Sequence, residues 1–288
     1  MLNESTIKKA TSFEYASVYQ AKQAEKYQNR EHNHWKIRID LARRLVDDYA
    51  LPRLKKPISE TILVDLACSI GTFAIEFSKL GYQSHGIDFD TEALEIAEQL
   101  NREEGTSARF IHDDISTWQP DFAAVDIVVC MDVFEHLHDD ELGGMLQSVR
   151  RVLSDQGSLV FHTFPTYYDY VFQNANGRLR LPLMPFRRLP TKAFTRLVRA
   201  YASLLDAVFL IKRGIDHKTM IKRHPHCNPY TPERLADILQ RARFTILYLE
   251  SAQLYPLELF SSRPHNLRGF SHQPITQRNV FGVATPAR

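Results

Sequence analysis

Cysteine is scarce in this chain. Cys68, Cys130 and Cys227 are too few for a disulfide framework and lack the spacing of zinc ligands, which suits a reducing compartment. Net charge is small as well. The 36 Lys and Arg stand against 34 Asp and Glu, so the balance of +2 names no partner. The opening residues, MLNESTIKKATSFEYA, hold no apolar signal core. The longest lipid-like run, 200–211, is too short to cross a bilayer and contains Asp206. Only 11 Gly and 14 Pro accompany a 44% hydrophobic fraction, which excludes collagen-like and disordered classes. No internal repeat or low-complexity segment is present. The expectation is a soluble, cytoplasmic globular protein whose 288 residues can build a full core with a sizeable insertion.

Residues 1–60 are polar and rich in Tyr and Lys, with helical spacing of Trp35, Ile39, Leu45 and Val46 over 34–50. Pro52 and Pro57 end that helix. From residue 61 short apolar runs alternate with amphipathic segments. Strands are expected at 62–66, 84–88, 108–112, 125–131 and 158–164, with helices at 91–103 and 141–153. Strand–helix alternation with apolar strands implies a doubly wound α/β fold, its mostly parallel sheet covered on both faces. Ligands of such sheets bind at the strand carboxyl ends. Residues 166–230 break the alternation and read as an inserted helical cap. Within 178–223, twelve Lys and Arg face only Asp206 and Asp216, a net of +10, so the remainder of the chain carries −8. The pattern resumes over 231–288. Thr231 is an N-cap and Pro232 a first helical residue, and strands follow at 244–250 and 279–285.

The first strand ends in ILVDLACSIGTFAIEF, where Asp65 precedes a turn of small residues and a helix. Such a turn lets backbone approach a ligand closely, and the helix N-terminus offers free N–H groups. Asp88 ends the second strand 23 residues after Asp65, the place of a ribose-binding acid in nucleoside-binding sheets. Asp113 and Asp114 follow the third strand, where an acid could accept from an exocyclic amine. The fourth gives IVVCMDVFEHL.

This succession resembles the class I S-adenosylmethionine-dependent methyltransferases over about residues 60–165, and within them the O-methyltransferases of ubiquinone biosynthesis. VVCMDVFEHLHDD and VLSDQGSLVFHTFPT carry the second likeness. The resemblance implies a Rossmann-like, seven-stranded fold that binds S-adenosylmethionine. Ala67 and Gly71 would then pack on the methionine moiety, with Asp65 bonding its amino group directly or through water. Asp88 would hold the ribose hydroxyls beside Phe89 at the adenine. Asp114 and the backbone of Ile115 would read the adenine, and Met131 would lie near the sulfonium. Relatives carry Gly where this chain has Ala67 and Ser69, which narrows the backbone if the turn needs positive φ.

Asp132, Glu135 and His136 form D-x-x-E-H, whose side chains can converge on one helical face. Two carboxylates and an imidazole suit a divalent cation such as Mg²⁺. Some ubiquinone-pathway and small-RNA 2′-O-methyltransferases hold an ion with a similar E-x-x-E-H, whereas many relatives carry EHL without metal. His136 is equally a candidate general base or a structural residue. His162, Tyr167, His224 and His226 are further base candidates, although His224-Pro-His226-Cys227 reads first as a turn.

The expected activity is methyl transfer to a small-molecule acceptor, at a hydroxyl of a hydrophobic or anionic metabolite. The basic cap would meet an anionic substrate, an acidic carrier protein or a membrane surface, or would simply be solvated. A 2′-O-methyltransferase acting on RNA and a non-catalytic scaffold are the alternatives. No RNA-binding module accompanies the core, so nucleic acid is not the expected partner.

Overall fold

The computed structural model describes residues 17–29, 33–119, 124–173, 178–186, 188–222, 226–252 and 278–287. Two helices lead, α1 (Ser17–Gln28) and α2 (Asn33–Leu45). The helix expected over 34–50 does not run through as α: a π turn covers Val46–Ala50, and a 3₁₀ turn with Pro52 covers Leu51–Arg53. Strand and helix then alternate. In order come β1 (Ile62–Leu66), α3 (Thr72–Lys79), β2 (Gln83–Asp88), α4 (Thr91–Glu103), β3 (Arg109–His112) and β4 (Val125–Met131). The core continues with α5 (Asp139–Val152) and β5 (Leu153–Thr163). Residues 154–157, ahead of the strand expected at 158–164, lie inside β5 as an irregular stretch. There Leu153 pairs with Val125, and pairing resumes between Ser158 and Ile127.

After β5 come α6 (Tyr167–Gln173), a 3₁₀ segment (Arg178–Phe186), α7 (Thr191–Arg213) and α8 (His217–Ile221). The chain returns through α9 (Pro232–Arg241), β6 (Phe244–Ala252) and β7 (Asn279–Pro286). The Thr231 side chain accepts from the Arg234 N–H, and Pro232 follows at the first helical position.

The seven strands lie in the order β3-β2-β1-β4-β5-β7-β6. The pairs among β1 to β5 are parallel, and β7 runs antiparallel between β5 and β6. The order reverses beside β1, so β1 and β4 diverge at the switch point where doubly wound sheets bind ligands.

Alternation along each strand feeds two cores. Val64, Val128, Cys130 and Phe161 face α5 and α9. Leu63, Ile127, Val129, Met131 and Val160 face α2, the π turn and α3. Every residue of β4 is buried, as a strand covered on both faces requires. The N-terminal helices are fastened by polar groups as well. The Tyr27 hydroxyl donates to Glu76 at 2.8 Å, and Arg43 and Lys79 pair with the same carboxylate at 3.0 and 2.7 Å. The cap has its own small core, in which Phe194, Val198 and Ala202 of α7 meet Tyr168, Val171 and Phe172 of α6.

Gly71 begins α3 with φ of +76°. A Cβ there would come within 2.6 Å of the Phe110 ring and 3.0 Å of the Ala97 Cβ. Its missing side chain therefore admits β3 and α4 rather than a ligand. Gly71→Ala is expected to lower stability by about 2–4 kcal/mol, from overpacking and the left-handed backbone together. Urea unfolding measures this, and Phe110→Leu should recover part of the loss. A change within about 0.5 kcal/mol of zero would contradict the packing role.

Candidate functional site

A cleft of roughly 880 Å³, open mouth included, lies along the carboxyl ends of β1, β2, β3 and β4. Ala67 and Ser69 line it from the β1–α3 turn. This turn uses left-handed backbone at three alternate residues: Ala67 at φ 55°, Ser69 at 47° and Gly71 at 76°. Non-glycine residues in this region cost about 1–2 kcal/mol each. The turn needs the conformation that glycine adopts most easily, and this chain meets the need with two small non-glycine residues.

Asp88 holds the turn in place. Its Oδ2 accepts the Ser69 N–H at 2.7 Å, and its Oδ1 accepts the Asp90 N–H at 2.9 Å. Burial raises its pKa, and these two amides oppose the rise. Asp88 also lines the cleft, so its remaining lone pairs can accept from a ligand. Phe89 lies next to it on the wall. Beyond β3, Asp114 and Ile115 complete that side. Asp114 Oδ1 accepts the Ser116 N–H at 2.9 Å and its hydroxyl at 2.7 Å, which fixes the carboxylate.

The opposite wall comes from α1. Tyr19 and Gln20 line the cleft. The Gln20 amide donates to Asp90 at 2.9 Å and accepts from the Ser69 hydroxyl at 3.1 Å, bridging the tips of two strands. Sequence reasoning missed Gln20 because α1 is polar throughout, with no periodic apolar face to mark its position.

Three residues expected at the cofactor lie elsewhere. Asp65 is buried beneath the turn, where its carboxylate accepts the Ala74 N–H at 3.3 Å. Burial, reinforced by nearby Asp88, pushes its pKa well up. Asp65 therefore secures the N-terminus of α3. Gly71 packs on Phe110, as described above. Met131 points the other way, into the α2 core, because alternation along β4 turns it from the cleft.

The D-x-x-E-H residues do not converge as expected. Asp132 leaves β4 in a left-handed conformation (φ 59°), and a 3₁₀ turn starts only at Phe134, so the helical-face rule does not reach back to it. Its carboxylate lines the cleft and pairs with the buried Arg38 and with His162. Burial would raise the Asp132 pKa, but Arg38 and His162 hold it well below the carboxylate range. Glu135 is buried behind the cleft and accepts from the Thr163 hydroxyl at 2.7 Å; burial and the Asp132 charge push its pKa well up.

His136 does line the cleft. Its partner is His226, whose ring lies 4.8 Å away edge-on. The Asn228 N–H donates to the Glu135 carbonyl at 3.0 Å and the Asn228 amide to the Leu137 carbonyl at 2.9 Å, zipping the two segments together. Ligand atoms of Glu135, His136 and His226 lie within 4.8 Å of one another. His226 thus takes the place expected of Asp132. Of the remaining base candidates, His162 and Tyr167 are not among the residues that line the cleft. His162 is fully buried, with Nδ1 on Asp132 and Nε2 on Asn279 at 2.9 Å. Tyr167 donates to Asp206 within the cap, and burial and that carboxylate raise its pKa. His224 lies outside the described residues.

The lining favours one kind of ligand. Asp88, Asp90, Asp114, Asp132 and Glu141 bring carboxylates to it, and no Lys or Arg lines it among the described residues. Such a wall repels phosphate and attracts a cation. Carboxylates at the ends of β2 and β3, a close backbone turn and the apolar flanks of Phe89 and Ile115 fit a nucleoside carrying a sulfonium and an ammonium group.

Removing the counter-ion of Asp132 should be costly. Arg38→Met is expected to lose about 2–3 kcal/mol in urea unfolding, because the part-buried Asp132 carboxylate then keeps only His162 as a charged partner. Adding Asp132→Asn should recover much of that loss. An additive double variant would contradict the coupling.

A methyltransferase-domain family model matches residues 63–157. The ubiquinone biosynthesis O-methyltransferase of Albidiferax ferrireducens is 32% identical over 179 residues, covering 58% of this chain and 68% of that protein. Its counterpart in Vibrio cholerae is 24% identical over 186 residues, 64% of this chain and 71% of that one. A solved S-adenosylmethionine-dependent methyltransferase from Clostridium acetobutylicum superposes with a TM-score of 0.56 at 12% identity, over 93% of this chain and 99% of that one, which shows a shared fold. With the strand order and the acidic cleft, these matches fix the family: the chain belongs to the class I S-adenosylmethionine-dependent methyltransferases.

Proposed function

We propose that this enzyme methylates a hydroxyl oxygen of a small hydrophobic or anionic metabolite that enters the cleft beside His136. The carrying observation is that an imidazole lines the same cleft as the carboxylates suited to the nucleoside. The names of the curated relatives, O-methyltransferases, support oxygen as the acceptor atom.

S-adenosylmethionine, when bound, supplies an electrophilic methyl group. The chain supplies alignment and a dry site. Asp88 accepts from the ribose hydroxyls. Asp114 and the Ile115 backbone meet the adenine edge, and Phe89 flanks it. The backbone of Ala67 and Ser69 admits the methionine end closely. Asp132, fixed by Arg38 and His162, places negative charge toward the cationic end. Tyr19 and Gln20 cover the opposite side and exclude water. His136 takes the hydroxyl proton at a ring nitrogen as the oxygen attacks.

Asp88→Ala should weaken S-adenosylhomocysteine binding at least about tenfold in calorimetry, since a charged acceptor and the anchor of the turn are both lost. His136→Ala should keep that affinity within about twofold while cutting turnover about a hundredfold, read as S-adenosylhomocysteine released with a panel of hydroxyl acceptors. Unchanged turnover in His136→Ala would remove the base.

The Glu135, His136 and His226 cluster supports a second reading of the same region. A divalent ion held there would offset the buried Glu135 charge and lower the pKa of the acceptor hydroxyl in place of a base. Two imidazoles and one carboxylate suit Mn²⁺, Co²⁺ or Zn²⁺ better than Mg²⁺. Calorimetry with Mn²⁺ should show one site, weakened at least about tenfold by His226→Ala. No heat with any of these ions, and turnover indifferent to EDTA, would leave His136 as the base.

A further inference from the structure

Eight of the ten large hydrophobic side chains found exposed among the described residues fall between Leu181 and Ile211, in the cap. They occupy two elements. Leu181 and Met184 stand three residues apart on the 3₁₀ segment, the spacing of one face of such a helix. On α7, Leu204, Val208 and Ile211 stand at i, i+4 and i+7, with exposures of 58%, 40% and 84%. This is a second apolar face. The first, through Phe194, Val198 and Ala202, is spent on the cap's own core. A helix of 23 residues extends about 35 Å, so the outer face is long and is not a pocket.

The charges around it have a pattern. Arg196 and Lys212 lie eight residues before and after Leu204, about 80° to either side of it on the helix. They flank the apolar stripe at its polar boundary, where long basic side chains keep their stems on apolar surface and their heads in water. All seven basic side chains described between Arg188 and Lys222 are exposed. Arg199 pairs with Glu233 of α9 at 2.9 Å, but within the cap segment itself acids are few. Across 178–223 only Asp206 and Asp216 occur; the first accepts from Tyr167 and the second caps α8 through the Thr219 N–H at 2.6 Å. The segment carries +10 and the rest of the chain −8. No described helix is long and apolar enough to cross a membrane.

We infer that the cap is a docking surface for an anionic lipid bilayer, with the Leu204–Val208–Ile211 face of α7 set into the interface and the flanking Arg and Lys on lipid phosphates. Charge complementarity selects this occupant. A soluble anion would need the basic groups but not the exposed apolar stripe. A second copy of the chain would bring two +10 segments together. A bilayer takes both features at once, and the −8 remainder orients the molecule with the cap toward the surface. The cap is rooted at the carboxyl edge of the sheet, through the Thr166–Tyr230 bridge and the Tyr167 N–H on the Tyr230 carbonyl at 3.2 Å. Docking would therefore hold that edge near the lipid. The inference goes beyond the proposed methyl acceptor and does not depend on its identity.

Co-sedimentation of the full chain with vesicles tests it. Phosphatidylcholine vesicles with about 30% phosphatidylglycerol should bind at least about tenfold more strongly than pure phosphatidylcholine. Raising NaCl from about 0.1 to about 0.5 M should release most of the protein. Leu204→Glu with Ile211→Glu should cut binding about tenfold, while circular dichroism and S-adenosylhomocysteine calorimetry stay at wild-type values. The milder Leu204→Ser with Ile211→Ser replaces that pair if helicity falls. Absence of binding, equal binding to neutral vesicles, or a double variant that binds as wild type would overturn the inference. A lipid-free dimer dissolved by the same substitutions, with no vesicle binding, would assign the face to a second copy instead and overturn it equally.

Discussion

The 2.7 Å hydrogen bond from the Ser69 amide to the Asp88 carboxylate joins the turn after β1 to the tip of β2. It holds a backbone that Ala67 and Ser69 would not choose on their own. Around it the other contacts fall into place. Asp65 secures the helix that follows the turn, Asp90 caps α4, and Gln20 ties both tips to α1. The same carboxylate that builds the turn also lines the cleft, so the group that secures the fold is placed where a ligand would meet it. A buried carboxylate is expensive unless it accepts hydrogen bonds, and two amides supply them.

Much of this was readable from the chain. Apolar strands and amphipathic helices marked the core from β1 to β5, and strand ends marked Asp88, Phe89, Asp114 and Ile115. Position along a strand is a local property, whereas the face a residue takes depends on register. Met131 sits at the right end of β4 but on the α2 side. Gly71 has the right local motif, yet its empty side faces Phe110 of β3, which only the packed sheet brings near. Gln20 and Ser69 are separated by 49 residues, and α1 has no pattern to announce that contact.

The D-x-x-E-H segment shows the same limit in sharper form. Helical spacing predicts one face for three ligands, but a left-handed Asp132 turns the first away, and Arg38, 94 residues earlier, claims it. His226 arrives from the last residues of the cap to join Glu135 and His136. Nothing local to either segment encodes that meeting; backbone hydrogen bonds between residue 228 and residues 135 and 137 create it. The cap's charge, by contrast, was plain in composition. Its second apolar face needed the structure, because only burial distinguishes Leu204 and Ile211 from the core positions of the same helix.

The central claim is that an acidic, amide-clasped cleft selects a cationic sulfonium nucleoside over phosphate-bearing ones. Paired calorimetric titrations of the full chain with S-adenosylmethionine and with NAD⁺ address it most directly. The account predicts saturable micromolar binding of S-adenosylmethionine and no measurable heat with NAD⁺. Binding of NAD⁺ alone, or silence with both, would contradict it.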